Sequence, residues 1–315
     1  MDKNYGMEIV RATEIAALNS ARLQGLGNVD DILNSARESI FKILNRINIT
    51  GNVKNDQFAM RNNTVPSPRM IGSGGPKMDV MAVALEGLNA AASGKNNAIS
   101  CAAIANEGGI LSVPSLSMYK IVVGQEAYGI VDINQPPSIN IKRVARALRK
   151  YTENITVCIL EKARHAQLIH EVQTCGARIK LISEGEVSGC LAALTNQKID
   201  LFMGYGFALE AVMVAAAIKC LGGYFEGKIF YENERDKNLA RSVGITDFEK
   251  TYKVEDLITT SEISFAATGI TDGEFLEGVH FTSGGAVTHS FVGRGETHTY
   301  RKLETTHFFD HKPVY

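Results

Sequence analysis

Three short polar segments in the second half of the chain carry side chains that could bind a phosphorylated, hydroxyl-rich ligand. They span residues 161–165, 183–186 and 204–210. Together they contain two cations, a histidine and four carboxylates: Lys162, Arg164, His165, Glu161, Glu184, Glu186 and Glu210. Lysine and arginine bind phosphate, and carboxylates accept hydrogen bonds from sugar hydroxyls or bind a metal ion. If the three segments lie together, they could form a sugar-phosphate site.

The segments follow three apolar runs that predict strands, at 155–160, 178–182 and 199–203. Helix-like sequence separates the runs, so the pattern indicates a β-α-β-α-β unit with parallel strands. Ligands of such sheets bind beyond the carboxyl ends of the strands. Polar residues are common at strand ends, and one short motif is weak support for a site. Three polar loops at one edge favour a small-molecule site.

The rest of the chain predicts further helices and strands of an α/β protein. Apolar spacing predicts helices at 7–23 and 30–47, with Leu33 in the core, and a helix ending near Leu221. Strands are expected at 80–85, 98–105, 120–123, 130–133 and 263–267, and paired antiparallel strands at 279–310. Residues 72–77 resemble a phosphate-binding glycine loop, but their spacing favours a turn. We predict two sub-domains, 1–150 and 151–315.

Composition excludes several classes of function. The chain has 315 residues, of which 45% are hydrophobic and 21% charged, as in ordinary globular proteins. Its formal net charge of −1 predicts binding to neither nucleic acid nor a membrane. Five scattered cysteines and the lack of an apolar leader in the sequence given predict a cytoplasmic location. The basic stretch 142–150 is expected to be the solvated face of a helix.

Five histidines lie in or just after the stretch that predicts antiparallel strands: His280, His289, His298, His307 and His311. Their spacing along the chain fits no metal-binding signature. We therefore expect them to be residues on the faces of strands rather than ligands.

Several motifs together resemble class II fructose-1,6-bisphosphatase. These are Lys-x-Arg-His at 162–165, Glu-x-Glu at 184–186 where the relatives have Asp-Gly-Asp, Gly-x-Gly-x-x-x-Glu at 204–210, Ala-Thr-Gly-Ile-Thr-x-Gly-x-x-x-Glu-Gly at 267–278 and Arg-x-x-x-x-x-His-x-x-Asp at 301–310. The resemblance implies a layered α-β-α-β-α sugar-phosphatase fold with mixed sheets, a sugar bisphosphate substrate and divalent metal ions. It also implies a homodimer or homotetramer, and an active paralogue is a further candidate partner.

The resemblance also implies roles for individual residues. Lys162 and Arg164 correspond to binders of the substrate phosphate, Glu184 and Glu186 to the acidic pair that contacts the sugar, and Glu210 to a metal ligand. Gly206, in the same loop as Glu210, corresponds to a substrate-binding position. The family's substrate-contacting tyrosine falls on Ser117, so Tyr119 is the substitute that we expect. Glu86 and His165 are candidate acids or bases.

The departures from the family pattern are concentrated in the first half of the chain. The family has carboxylate metal ligands where this sequence has Leu33, Gln57 and Val83, and a catalytic threonine where it has Leu88. Because a hard cation needs oxygen ligands, we expect no metal cofactor, and Mg²⁺ or Mn²⁺ only if the site has been rebuilt.

Three hypotheses follow. The first is a sugar-phosphate-binding protein that has lost the family's phosphatase activity and acts as a pseudo-enzyme or regulatory partner. The second is an enzyme with changed, metal-independent chemistry on a sugar phosphate, such as an isomerase, epimerase or lyase, with Glu86, His165 or Glu210 as acid or base. The third is an active sugar bisphosphate phosphatase whose metal site is rebuilt from Asp56, Asp79, Glu86 and Glu210.

Overall fold

The computed structural model describes residues 5–54, 70–195 and 198–311. Its helices within these ranges are α1 Gly6–Ala21, α2 Val29–Leu44, α3 Leu88–Ala92, α4 Pro137–Ala147, α5 Ala166–Thr174, α6 Glu186–Thr195, α7 Ala208–Leu221, α8 Glu234–Ser242 and α9 Val254–Leu257. Its strands are β1 Thr50–Val53, β2 Met70–Ile71, β3 Lys77–Glu86, β4 Ile99–Asn106, β5 Ser117–Val123, β6 Thr156–Leu160, β7 Arg178–Ile182, β8 Leu201–Phe207, β9 Tyr224–Ile229, β10 Ile263–Gly269, β11 His280–Thr282, β12 Gly285–Arg294 and β13 Thr299–Phe308.

The smaller of two sheets contains the predicted β-α-β-α-β unit. Its strand order is β7-β6-β8-β5-β9, and β6 runs parallel to both of its neighbours. The loops after β6, β7 and β8 therefore lie at one edge of the sheet, as their sequence predicts. Strand β5 pairs antiparallel with β8 and β9, which makes the sheet mixed.

The larger sheet has eight strands in the order β11-β12-β10-β4-β3-β1-β2, with β13 paired to β12. Strand β1 is parallel to β3, and the other pairs are antiparallel. The predicted antiparallel strands at 279–310 form the β11–β13 part of this sheet. The sheet thus combines strands from both ends of the chain.

Helices and sheets alternate in five layers, α-β-α-β-α, as the resemblance implies. Helices α1 and α2 cover one face of the larger sheet, α6 and α7 lie between the sheets, and α4 and α5 cover the far face of the smaller sheet. Helix α7 reads as an almost continuous run of Ala, Val, Ile, Leu and Met, and nearly all of it is buried. A helix that is apolar on all sides must be covered on all sides, and the two sheets do this.

Helix α2 places Leu33 against the larger sheet. Its first turn is capped by Asn28, whose side-chain oxygen accepts a hydrogen bond from the Asp31 amide at 3.2 Å. This bond satisfies one of the amides that a helix start leaves without a partner. Beyond the cap, a stripe of apolar residues that includes Ile32, Ala36 and Ile40 is buried against the sheet.

The strand predicted at 130–133 is absent, and the sub-domain boundary predicted near residue 150 stays a prediction. Residues 130–133 form no strand, because their amides bind side chains instead: Asp132 N–H donates to Asn140 Oδ1 at 2.9 Å and Ile133 N–H to Glu226 Oε2 at 2.8 Å. The predicted boundary near residue 150 does not coincide with a division between the sheets, since β5 belongs to the smaller sheet and β10 to the larger one.

Candidate functional site

A pocket of about 280 Å³ lies where the carboxyl ends of β6, β7 and β8 approach α2, α3 and the end of β3. Its lining comes from both halves of the chain. The second half supplies Lys162, Arg164, Glu184, Glu186, Gly206 and Glu210, and the first half supplies Leu33, Leu85, Glu86 and Leu88. The three polar loops predicted from the sequence therefore do meet at one site.

Lys162 and Arg164 form the cationic part of this pocket. Both follow β6 directly and are exposed to solvent, so their charged ends can reach a bound anion. Arg164 Nη2 donates a hydrogen bond to the carbonyl oxygen of Tyr205 in β8 at 3.0 Å, which anchors one side of the guanidinium. The arrangement suits an arginine that binds phosphate through its remaining N–H groups.

Glu184 connects the loop after β7 to the start of α3. Its carboxylate accepts hydrogen bonds from the amides of Asn89 at 2.9 Å and Ala90 at 3.1 Å, and from Asn89 Nδ2 at 2.6 Å. A carboxylate at a helix N-terminus also interacts favourably with the helix dipole. Glu184 thus joins the two halves of the pocket.

Glu186 is buried beside Lys120, and the two side chains form an ion pair. Lys120 Nζ also donates to the carbonyl oxygen of Phe207 at 2.7 Å. Gly206 lies against this pair: a Cβ at residue 206 would stand 1.4 Å from Glu186 Oε2, so no other residue fits without displacing the carboxylate. Glu186 lines the pocket, but its charge is directed to Lys120.

Glu86 and Glu210 are the other buried carboxyls of the pocket. Glu86 Oε1 accepts a hydrogen bond from the Glu186 amide at 2.7 Å, and its Oε2 has no hydrogen-bond partner among the described residues. Burial raises the pKa of Glu86 well above its usual value, and the charges of Glu210 and Glu184 raise it further. The carboxyl is therefore held in surroundings that favour its protonated form.

Apart from Glu86 and Asn89, the side of the pocket formed by the first half of the chain is largely aliphatic. Leu33 from α2, Leu85 from β3 and Leu88 from α3 line it, and all three are buried. Phe207, 41% exposed, completes the apolar part of the lining. Val83 does not line the pocket and packs in the core between the two sheets. The pocket thus combines a charged side with an apolar side.

Two predicted site residues lie elsewhere. His165 is fully buried and does not line the pocket, and both of its ring nitrogens are bonded to the backbone, to the Leu160 carbonyl at 2.7 Å and the Tyr205 amide at 2.8 Å. Tyr119 lies in a different hollow, with its ring centroid 4.9 Å from that of Tyr205. It faces the side of β5 opposite to Lys120, since successive side chains of a strand alternate.

Lys120, the ion-pair partner of the pocket residue Glu186, was not among the residues predicted from the sequence. Burial lowers its pKa to about 8, although the negative charge of Glu210 opposes this change. A lysine at the start of the apolar run 120–123 was a usable signal, because lysine is almost never fully buried unless it is paired. Its partner Glu186 is 66 residues away in sequence, so the pair itself could not be predicted.

Known proteins resemble this chain over nearly its whole length. The family model described as "Bacterial fructose-1,6-bisphosphatase, glpX-encoded" matches residues 3–307. The chain belongs to this class II fructose-1,6-bisphosphatase family. A D-fructose 1,6-bisphosphatase class 2/sedoheptulose 1,7-bisphosphatase of Synechococcus elongatus is 32% identical, with 98% of each chain covered. The protein of the same description from Microcystis aeruginosa is 33% identical, over 100% of this chain and 99% of its own.

The described residues do not fit the metal cluster that the resemblance to class II enzymes implies. A hard cation such as Mg²⁺ takes about six oxygen ligands. Leu33 and Leu88 offer no oxygen, Glu184 caps α3 and Glu186 pairs with Lys120. Glu86 accepts a hydrogen bond from the Glu186 amide at the start of α6, and Glu210 is the remaining buried carboxylate that lines the pocket within the described ranges.

Of the other carboxylates proposed for a rebuilt metal site, Asp79 does not join this pair. Asp79 is buried outside the pocket, where its Oδ2 accepts from the Ile110 amide at 3.2 Å and its Oδ1 lies 3.5 Å from Lys54 Nζ. Asp56 and Gln57 lie outside the described residues. No described helix has the length and apolar character needed to cross a membrane.

Proposed function

We propose that this family member binds a phosphorylated sugar in the pocket and no longer catalyses metal-dependent phosphate hydrolysis. The observation that supports this most is the position of Leu33, which lines the same pocket as Glu86, Glu210 and the cations Lys162 and Arg164. By the resemblance, the family has a carboxylate metal ligand at this position. The cationic part of the site is retained, whereas the part that would bind metal keeps Glu86 and Glu210 and has Leu33 and Leu88 in place of oxygen-bearing residues.

Hydrolysis of a phosphate monoester makes the loss of ligands severe. It is among the slowest uncatalysed reactions, and the fastest enzymes accelerate it by up to about 10²¹-fold. Metal ions supply much of such acceleration, since they activate water and neutralise the leaving oxygen. Leu33 and Leu88 line the pocket with aliphatic side chains, which bind no metal ion and so can neither activate water nor neutralise the leaving oxygen. Binding of the phosphate needs only the cations and free N–H groups, so it survives this change.

The binding half of the proposal is tested with Arg164→Ala. We expect this variant to bind fructose 1,6-bisphosphate about 1.5–3 kcal/mol more weakly, as is typical for a lost hydrogen bond between two charged groups. Isothermal titration calorimetry measures the affinity. The matched control is Arg146→Ala, which removes an exposed arginine from α4 outside the pocket and should bind the ligand as the wild type does. Equal affinity for wild type and Arg164→Ala would contradict the proposed role of the cations.

The catalytic half is tested by measuring phosphate release from fructose 1,6-bisphosphate with Mg²⁺ or Mn²⁺ at millimolar concentration. We expect none above background. Metal-dependent release that disappears in Glu210→Gln would overturn the proposal, because Glu210 is the residue that the resemblance makes a metal ligand.

A second candidate function is a sugar bisphosphate phosphatase that remains active through a rebuilt metal site. The names of the cyanobacterial relatives favour it, since both are bisphosphatases that match nearly the whole chain. Its ligands would be Glu86 and Glu210 with Asp56. The two candidates give opposite results in the phosphate-release experiment.

A further inference from the structure

A cluster of one carboxylate and two imidazoles lies on the larger sheet, among residues that do not line the pocket. It consists of Glu277, His280 and His289, each of which offers one ligand atom within 4.8 Å of the other two. His289 Nε2 is 3.7 Å and His280 Nε2 is 3.9 Å from Glu277 Oε2. The two imidazole rings are edge to face, with centroids 5.6 Å apart.

The backbone fixes the His289 ring in the orientation that a metal ligand needs. His289 Nδ1 lies 3.2 Å from the carbonyl oxygen of Gly278, and because a carbonyl only accepts, Nδ1 carries the proton in this bond. Nε2 of the neutral ring is then unprotonated and is directed at Glu277. Ligating histidines commonly donate their other N–H to a carbonyl or carboxylate, which fixes the tautomer and the ring orientation.

The pairing of β11, β12 and β13 places the two histidines, and Glu277 lies in the loop just before β11. His280 begins β11, which pairs with the part of β12 that precedes His289. Glu304 on β13 is the direct partner of His289, with Oε2 3.7 Å from His289 Nε2. Asp272 adds a carboxylate oxygen 3.7 Å from His280 Nε2. Two further oxygens therefore border the cluster.

We propose that Glu277, His280 and His289 bind a divalent transition metal ion such as Zn²⁺, Ni²⁺ or Co²⁺. Imidazole suits these ions, whereas Mg²⁺ and Ca²⁺ prefer sites made of oxygen. Ligand atoms about 2.1 Å from a tetrahedral zinc lie roughly 3.4 Å apart. The two distances to Glu277, 3.7 and 3.9 Å, need a contraction of only a few tenths of an ångström, and the ligand atoms of the two histidines, which lie within 4.8 Å of each other, need to approach by at most about 1.4 Å.

The environment favours cation binding at this point of the surface. Three carboxylates and two imidazoles converge there, and within the described part of the chain no lysine or arginine forms an ion pair with any of the five. His289 is only 18% exposed, whereas Glu277 is 72% exposed, so the ion would have one fixed ligand and one free to close on it. The exposed side leaves a coordination position for solvent.

The experiment is a titration of the full-length, chelator-treated protein with Co²⁺ and Zn²⁺. We expect one ion per chain, the visible absorption of tetrahedrally coordinated Co²⁺, and Zn²⁺ binding measured by calorimetry. His289→Gln and His280→Gln should each weaken binding by roughly tenfold or more, since each removes one nitrogen ligand. Mg²⁺ should not compete.

Two matched variants separate this site from other sources of binding. His170→Gln removes an exposed histidine of α5 and should bind like the wild type. Glu210→Gln changes the pocket, and its Zn²⁺ affinity should stay unchanged if the ion binds at the histidines. The proposal is overturned if the wild type binds no Co²⁺ or Zn²⁺, or if both histidine variants, folded by circular dichroism, bind as tightly as His170→Gln.

Discussion

The imidazole of His165 holds the ends of β6 and β8 in place. Because the Tyr205 amide can only donate, Nε2 must be unprotonated, and Nδ1 then donates to the Leu160 carbonyl. The neutral ring thus connects the strand that precedes Lys162 to the strand that contains Gly206. Protonation at Nε2 would break the bond to Tyr205. His165 thus helps to position the loops of the pocket although it does not line the pocket itself.

This bonding predicts how stability depends on pH. Burial lowers the pKa of His165 below its usual 6.5. A group whose pKa is lower in the folded state stabilises the fold fully above its unfolded pKa, and this contribution is lost as the pH falls through the folded value. We expect His165→Gln to lower the free energy of unfolding by about 1–3 kcal/mol at pH 7.5, and by less at pH 5.

The measurement is urea unfolding at both pH values, for wild type, His165→Gln and the control His170→Gln, whose side chain is exposed on α5. The control should differ from the wild type by the same small amount at both values. If His165→Gln is as stable as the wild type at pH 7.5, the two backbone hydrogen bonds of His165 contribute nothing to stability.

The sequence predicts which loops carry the polar residues of the pocket, but not the partners of every side chain in those loops. The positions of Lys162, Arg164, Glu184 and Glu210 follow from local patterns, because a parallel unit brings its loops to one edge. His165 belongs to the same loop, but the direction of its ring depends on backbone atoms of β8. The ion pair of Lys120 with Glu186 likewise depends on packing between elements.

Among the elements, short helix α3 depends on a side chain from a different part of the chain. Its N-cap is Gly87, which has no side chain to accept a hydrogen bond, and the Glu184 carboxylate accepts from the first amides instead. A helix of five residues cannot be stable by itself. The loop after β7 therefore helps to fold the opposite wall of the pocket.

We predict that Glu184→Ala lowers the free energy of unfolding by about 0.5–2 kcal/mol, the usual cost of removing a helix cap. Urea unfolding measures this change. Glu184→Gln should retain part of the stability, because its amide oxygen still accepts hydrogen bonds. The control Glu153→Ala, at an exposed position outside the pocket, should be within about 0.5 kcal/mol of the wild type. A loss no greater than in this control would show that α3 does not depend on the carboxylate.

Helices and strands were predictable from the sequence where apolar residues repeat within the element at the spacing typical of a helix or a strand. The strands of the β-α-β-α-β unit and helices α1 and α2 lie within a few residues of their predicted bounds. The prediction of a strand at 130–133 is wrong. The side chains of Asn140 and Glu226 accept hydrogen bonds from backbone amides of this segment, which are then not available to pair with a neighbouring strand. Those partners lie in a different helix and strand, so the pattern of residues 130–133 alone could not reveal them.

At the scale of the whole molecule, the pocket joins residues from α2, β3, β6 and α7, and only the second-half members could be placed together from sequence. The opposite wall was assigned through the family resemblance, which fixes the layered fold over nearly the whole chain. The structure places Leu33 and Leu88 in the pocket but Val83 in the core beside it. The histidine cluster was missed because it depends on the pairing of β11, β12 and β13.

Restoring one metal ligand of the family at a buried position should destabilise the protein rather than return metal binding. Leu33 is 3% exposed, so Leu33→Asp alone buries a carboxylate among apolar neighbours, where it must be neutralised or destabilise the fold. We expect this single variant to unfold more easily and to gain no stability from Mn²⁺. The combined variant Leu33→Asp, Gln57→Glu, Val83→Asp and Leu88→Thr returns three carboxylates and one hydroxyl to the positions that the resemblance assigns to the cluster.

In the combined variant, an ion shared by the introduced carboxylates balances the charges that destabilise each single variant, so the effects should be strongly non-additive. Because Val83 packs in the core beside the pocket, this requires the Val83→Asp side chain to turn toward the ion. Thermal unfolding with and without Mn²⁺ measures this, because an ion that binds only the folded state raises its stability by mass action. We expect the Mn²⁺-dependent rise in melting temperature in the combined variant and not in Leu33→Asp. A similar rise in wild type that is lost in Glu210→Gln would mean that the present pocket binds the ion with the ligands it already has, and that the aliphatic wall does not prevent metal binding.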